Sequence, residues 1–277
     1  MTRPAILLVG GTDSSGGAGL AADIRAAAAH GVEARLAVTA VTAQTNGMVG
    51  TVAPMPPALV AEQIAFALAD GRVFAVKIGM LAEAAIVAAV AEALAGFAGP
   101  IVLDPVIAAS SGGMLLSEEG ITGLIERLLP MTTLVTPNLP ELSILASRAD
   151  GRLAAGDPAP VSQTGLRGKT EAGPHSHATP RDAALVRNLF AAGAGAVLVK
   201  GGHETGTEAL DVLHRRDGGP PRRFATPRLD AMLRGTGCML ATAIACRLAA
   251  GNGLETACGA AKEYVRGLLA GASAEPG

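Results

Sequence analysis

The chain has 277 residues, 49% of them hydrophobic and 17% charged, with a formal net charge of -2. That is enough apolar material for a large buried core, most simply one α/β domain over 1–277. A sparsely charged chain with 2% aromatic residues lacks the basic surface and stacking platforms that nucleic acid needs, and has nothing to hold an anionic membrane.

The opening MTRPAILLVGG carries an apolar run too short for a signal region or a membrane span, so it reads as a buried first strand, Ala5–Gly10, of a cytoplasmic protein. Short apolar runs then alternate with helical patterns. A helix is expected over Gly19–His30, a strand over Ala34–Thr42, a helix over Pro57–Ala69, a strand over Val73–Gly79 and a helix over Glu83–Gly96. The strand Pro100–Pro105, a helix over Ser117–Leu129, the strand Thr133–Asn138 and a short helix over Leu139–Ala146 follow.

From Arg148 to Pro180 neither period is present, and the segment is rich in Gly, Pro, Ala and Ser. It is either a mobile flap or a flexible, disordered insertion, and its length favours the second. His175 and His177 within it have the spacing of a weak metal pair or of a solvated loop. Beyond it come a helix over Arg181–Ala192, the strand Ala196–Gly202, the hairpin-like runs EALDVLH and RRFATP, and helices over Thr236–Ala250 and Leu254–Gly271. Apolar runs joined by crossover helices require a parallel sheet covered on both faces, hence a three-layer αβα sandwich with a mostly parallel central sheet.

Ligands of such sheets sit at the carboxyl ends of the strands. Five places there carry candidate chemistry. The turn GGTDSSGGAG after the first strand fits neither a Walker A loop nor the strict dinucleotide fingerprint, and reads equally as a turn that lets the first helix pack closely. Gln44 can donate to and accept from the edge of a heteroaromatic ring, or else satisfy a turn. Asp104 in VLDP, with Asn138 and Glu141 in TPNLPE, offers oxygens to a hard cation such as Mg²⁺, although a helix N-cap explains Asn138 almost as well. Lys200 is a point charge suited to phosphate, or an exposed strand-end lysine.

The fifth is LRGTGCMLA, where the N–H groups of Gly235, Thr236, Gly237 and Cys238 form a concave anion site at a helix start, suited to phosphoryl transfer. A helix N-terminus lowers a thiol pKa from about 8.5, which would bring Cys238 within range as a base for a substrate hydroxyl. The three cysteines show no CxxC spacing, and Cys246 and Cys258 read as small core hydrophobes.

Taken in order, GTDSSGGAGLAADI, VTAVTAQTNG, KIGML, VLDPVI, TPNLPE, VKGGH, GTGC and AAKEYV resemble the hydroxymethylpyrimidine/phosphomethylpyrimidine kinases of thiamine biosynthesis, within the ribokinase-like fold. The resemblance runs from Ala5 to about Leu269 apart from the insertion. It implies ATP-dependent phosphorylation of 4-amino-5-hydroxymethyl-2-methylpyrimidine and of its monophosphate, by a homodimer. In that reading Gln44 binds the aminopyrimidine edge, and Gly11, Met80 and Val106 shape the pocket. Gly235, Thr236 and Gly237 form the anion hole, and Cys238 takes the place of the catalytic Asp of ribokinase relatives. Lys200 and Asn138 contact ATP, and Asp104 and Glu141 organise Mg²⁺. The family usually reads THGTGCT where this chain has Arg234 and Met239, and Pro is common at the place of Ser14. The rivals are a pyridoxal or pyridoxine kinase of the same fold, and a catalytically weak paralogue that binds the pyrimidine or nucleotide as a sensor.

Overall fold

A computed structural model describes residues 4–109, 112–151, 180–202 and 206–274. The first strand, β1 (Ala5–Gly10), is buried along its whole length. Its alternate side chains serve two cores: Ala5, Leu7 and Val9 join one apolar cluster, Ile6 and Leu8 the other. That is what a period of two does in a strand covered on both sides.

The chain continues through α1 (Gly19–Ala29), β2 (Glu33–Val38), β3 (Ala40–Gln44), β4 (Val49–Pro54), α2 (Pro57–Leu68), β5 (Val73–Ile78), α3 (Ala84–Ala93), β6 (Ile101–Leu103) and α4 (Glu118–Gly123). After β7 (Leu134–Val135) come α5 (Leu139–Ala149), α6 (Pro180–Ala191), β8 (Ala196–Val199), β9 (Glu208–Arg215), β10 (Arg222–Pro227), α7 (Thr236–Ala249) and α8 (Leu254–Ala274). The central sheet has the order β10-β9-β8-β7-β6-β5-β1-β2. It is parallel from β2 to β8, with β9 and β10 added antiparallel at one edge. Helices α2 to α6 contribute to the apolar cluster on one face, and α1, α7 and α8 to that on the other. The expected three-layer sandwich is therefore the observed architecture.

Strand order reverses at β1, which lies between β2 and β5. The loops following β1 and β5 thus open side by side at the carboxyl edge, the place such sheets use for ligands.

Three elements differ from expectation. The run ARLAVTAVT is not one strand: the chain turns at Thr39, whose N–H donates to the Gly10 carbonyl (3.0 Å) and whose hydroxyl donates to the Met80 carbonyl (2.6 Å). Those bonds divert β3 out of the main sheet to pair with β4, a strand the exposed, Gly- and Pro-containing VGTVAP had not announced. The pair forms a flap of two antiparallel strands. The expected helix over Ser117–Leu129 is also broken: α4 passes into a π turn at Leu124–Leu128 and a 3-10 turn at Leu129–Met131, where Pro130 lacks an N–H to continue the ladder. Finally, α5 runs on to Ala149, into the start of the expected insertion, and Pro180 opens α6. The rest of that insertion, His175 and His177 included, lies outside the described residues.

Ala82, between β5 and α3, has a φ of 65°, a left-handed conformation that costs a residue with a Cβ about 1 kcal/mol. It is held there because its carbonyl accepts from the Ser117 N–H at 2.9 Å. Ala82→Gly should therefore stabilise the fold slightly, by up to about 0.5 kcal/mol once the entropy that glycine adds to the unfolded chain is subtracted, read as a small rise in the urea midpoint with an unchanged m-value.

Candidate active site

The site is assembled from the loops after β1, β5, β6, β7 and β8 and the start of α7. Two glycines let the helix starts approach other backbone. Gly19 (φ 56°) opens α1 so close to β1 that a Cβ would lie 2.5 Å from the Gly11 carbonyl oxygen. Gly235 (φ 75°) caps α7 so close to the first loop that a Cβ would lie 2.5 Å from the Gly17 carbonyl oxygen. No other residue type fits either position, and the glycine-rich turn is therefore structural in the strict sense.

Within that turn the Asp13 carboxylate accepts from the Ser15 N–H (2.8 Å), the Ser15 hydroxyl (2.7 Å) and the Ala18 N–H (2.8 Å). Burial pushes the Asp13 pKa up, but these hydrogen bonds and the nearby Arg234 outweigh it and leave the carboxyl below its ordinary range. The turn also holds the flap: the Thr12 N–H donates to the Ala40 carbonyl (2.9 Å), the Thr42 hydroxyl to the Thr12 carbonyl (2.7 Å), and the Ser14 hydroxyl to the Gln44 carbonyl (2.8 Å). Gln44 is thereby set at the flap's tip, over the switch point. Gly11 faces Met80, since a Cβ on Gly11 would come within 2.7 Å of the Met80 sulfur. Val106 follows β6, its N–H donating to the Asp104 carbonyl at 2.8 Å.

After β8 and β6, Lys200 meets Asp104 at 2.7 Å and lies 3.9 Å from Glu141. The same Asp104 oxygen accepts from the Thr136 hydroxyl at 3.3 Å. A Cβ on Gly237 would lie 3.3 Å from the Lys200 Nζ and 3.9 Å from Asp104 Oδ2, so this ion pair sits directly against the first turn of α7. Burial opposes the Lys200 charge, yet Asp104 and Glu141 lift its pKa above the lysine range. Burial likewise raises Asp104, but Lys200 and Lys77 outweigh it and hold the carboxyl below its usual value. Burial and the charge of Asp104 prevail at Glu141, which is pushed up to about 7.

Asn138 serves α5 as N-cap. Its Oδ1 accepts from the Glu141 N–H at 2.9 Å while Glu141 Oε2 accepts from the Asn138 N–H at 2.8 Å, a complete capping box. The helix-cap reading of Asn138 thus describes its side-chain oxygen, and part of Glu141 as well. Among the described residues no three His, Cys, Asp or Glu side chains come together as a metal cage.

Cys238 does occupy the first turn of α7, but the expected depression of its thiol pKa is reversed. Burial pushes it up to about 11, with the charges of Asp23 and Asp104 adding to the effect. Lys77 and the Gly19 N–H pull the other way without prevailing. Local helix-end electrostatics are outweighed by desolvation and by two nearby carboxylates. Cys246 and Cys258 are buried in the core as expected.

The residues beneath Cys238 were not singled out from the sequence. Lys77 of β5 and Asp23 of α1 form an ion pair at 2.8 Å with both side chains 1% exposed, and the Thr242 hydroxyl of α7 donates to the other Asp23 oxygen at 2.8 Å. The available signal was a lysine within the apolar strand VFAVKI, between Val76 and Ile78. Gly79 leaves room for the ammonium, since a Cβ there would lie 2.8 Å from the Lys77 Nζ.

The sequence model of the phosphomethylpyrimidine kinase family matches residues 13–155 and 173–277. The chain belongs to the phosphomethylpyrimidine kinase family. Among its relatives, the hydroxymethylpyrimidine/phosphomethylpyrimidine kinase of Rhizobium meliloti is 38% identical over 267 residues, covering 96% of this chain and 90% of the relative. That of Streptomyces coelicolor is 39% identical over 271 residues, 97% of this chain and 90% of the relative. The crystal structure of the Clostridium difficile phosphomethylpyrimidine kinase superposes with a TM-score of 0.73 at 28% identity, covering 96% of this chain and 99% of that one. An ADP complex of Bacillus subtilis pyridoxal kinase gives 0.75 at 27% identity, with 95% and 90% covered. The expectations of a ribokinase-like fold and of a phosphotransferase hold for this kinase family member.

A thiol pKa of about 11 at Cys238 makes a direct forecast. Alkylation of Cys238 by iodoacetamide, followed by peptide mass spectrometry, should accelerate about tenfold per pH unit from 7 to 10, because the thiolate is the reactive form. A plateau reached by pH 8 would mean that the helix end outweighs burial after all.

Proposed function

We propose that this kinase transfers the γ-phosphoryl group of ATP to the hydroxymethyl oxygen of 4-amino-5-hydroxymethyl-2-methylpyrimidine, and then to the resulting monophosphate, in thiamine biosynthesis. The observation that carries this reading is the convergence of Lys200 and Asp104 on Gly237, at the start of α7 and at the switch point beneath the flap that bears Gln44. The curated relatives named for both kinase activities support the choice of substrate.

In this reading Gln44 hydrogen-bonds the aminopyrimidine edge, and Gly11, Met80 and Val106 line the pocket. Phosphoryl transfer through a loose transition state asks the protein chiefly for positioning and for charge stabilisation. The N–H groups of Gly235, Thr236, Gly237 and Cys238, at the helix start, serve as donors for the equatorial oxygens of the transferring group. Lys200 exchanges its carboxylate partners for ATP phosphate, with Asn138 beside it through a parallel bridge. Such a transition state needs little deprotonation of the attacking alcohol beforehand. Cys238 therefore acts as a thiol that holds the hydroxyl in line, rather than as a preformed base.

Asp104 and Glu141 fit a magnesium ion: hard oxygen donors at the phosphate end, two in number, as expected for a cation that keeps several waters and shares the nucleotide phosphates. The Glu141 carboxyl, raised to about 7 chiefly by burial and further by the Asp104 charge, is a group that a bound cation would return to its charged form. When bound, magnesium neutralises charge on the β- and γ-phosphates.

A coupled ATP assay with the pyrimidine alcohol, its monophosphate and pyridoxal tests the reading. Turnover should favour the two pyrimidines, and Cys238→Ala should lower kcat by roughly 10²-fold, the scale of a misplaced reacting group. Preference for pyridoxal would select the vitamin B6 kinase that the Bacillus subtilis neighbour suggests, and calorimetric binding without turnover would select a sensor.

No helix among the described residues is long and apolar enough to cross a membrane. We further infer a cytoplasmic homodimer. Edge strand β2 with Leu36, and α2 with Leu59 and Phe66, expose apolar side chains that suit a second copy. Sedimentation velocity should give twice the 27.5 kDa chain mass, and Phe66→Glu should shift the protein towards the monomer.

A further inference from the structure

Arg234 immediately precedes the anion loop, where a phosphate contact would be the simple expectation for an arginine. Its recorded partners are different. Nη1 donates to the Ser15 hydroxyl (2.8 Å), the Thr45 carbonyl (3.1 Å) and Asn46 Oδ1 (3.1 Å), and lies 3.6 Å from Asp13 Oδ2. Nη2 donates to Gln44 Oε1 at 3.4 Å. The side-chain stem packs on Gly17, where a Cβ would lie 3.3 Å from the Arg234 Cβ. One guanidinium thus joins the α7 loop, the glycine-rich turn and the flap tip, segments about 190 to 219 residues apart in sequence.

We propose that Arg234 is a positioning residue that clasps the flap onto the acceptor site and fixes which way the Gln44 amide faces. The flap is a two-stranded sheet outside the main sheet, and such pairs are marginal without outside contacts. Its base is tied down at Thr12, Thr39 and Thr42, and its turn at Ser14. Beyond Gln44 the turn residues Thr45 and Asn46 are held by Arg234. The planar guanidinium holds its donors in a fixed fork that reaches acceptors on separate segments, whereas an ammonium gathers its three donors on one nitrogen.

The same contact restricts recognition. A cation accepts the amide oxygen of Gln44 as neighbour and rejects its NH₂ group, so the amide cannot flip. Gln44 then offers Nε2 as donor, and the preferred substrate is a heteroaromatic alcohol that presents a ring acceptor at that edge. This second part rests on the acceptor site proposed above, whereas the clasp does not.

The test uses the full-length protein and the variants Arg234→Met and Arg234→Lys, each shown folded by circular dichroism. Hydrogen–deuterium exchange without substrate should show the segment 44–48 opening about tenfold more often in Arg234→Met, the equivalent of one lost charge-assisted hydrogen bond, with Arg234→Lys in between. Steady-state assays should show KM for the pyrimidine alcohol raised about tenfold with kcat held within about threefold. Unchanged exchange over 44–48 overturns the clasp. A fall in kcat at constant KM overturns the substrate-orienting role and gives the arginine to phosphate instead. Should the wild type fail to phosphorylate the pyrimidine, the proposed reaction falls, while the exchange measurement still decides on the clasp.

Discussion

The arrangement depends on the buried pair of Lys77 and Asp23. A lysine and an aspartate, each with a side chain 1% exposed, are costly to remove from water, and only their contact, completed by the Thr242 hydroxyl, makes the burial tolerable. The three residues come from β5, α1 and α7, so the pair fixes both helices to the sheet at one point. Those are the helices whose first turns, at Gly19 and Thr236, meet around Cys238. Replacing one partner alone would leave an uncompensated charge in the core, typically a loss of about 3–5 kcal/mol, and would loosen both helix starts together.

Above that support the proposed site has two halves, one for the acceptor and one for phosphate. The acceptor side is built from the glycine-rich turn, Met80 and the flap, the phosphate side from Asp104, Glu141, Lys200 and the α7 loop. Close backbone approach joins the two: Gly235 of the α7 loop lies against the Gly17 carbonyl of the glycine-rich turn. The glycine motifs therefore do more than permit turns, because they set the distance between the two halves.

Much of this was legible in the chain. Fully buried runs such as AILLVG stand out as short apolar stretches between longer helical patterns, and the residues that end the strands fall at the site because parallel sheets place them there. What failed depended on tertiary context. The apolar run ARLAVTAVT continues across Thr39 without a break, so the turn imposed by its bonds to Gly10 and Met80 left no mark on the pattern. The Cys238 pKa was argued from the helix end alone, and its reversal comes from burial and from Asp23, a residue 215 positions away whose proximity no local pattern reveals. Lys77 could have been noticed as a charge inside an apolar strand, but its partner could not have been named.

The protonated state of Cys238 also bears on oxidative durability. Peroxide attacks thiolates, and a sulfur with a pKa of about 11 is ionised in roughly one molecule in ten thousand at neutral pH. A cysteine in this position thus escapes the conversion to sulfenic acid that exposed, acidic thiols suffer. In the proposed mechanism the kinase keeps a sulfur beside the reacting groups under aerobic conditions without a resolving partner, and the burial that denies Cys238 the role of a ready base is also what preserves it.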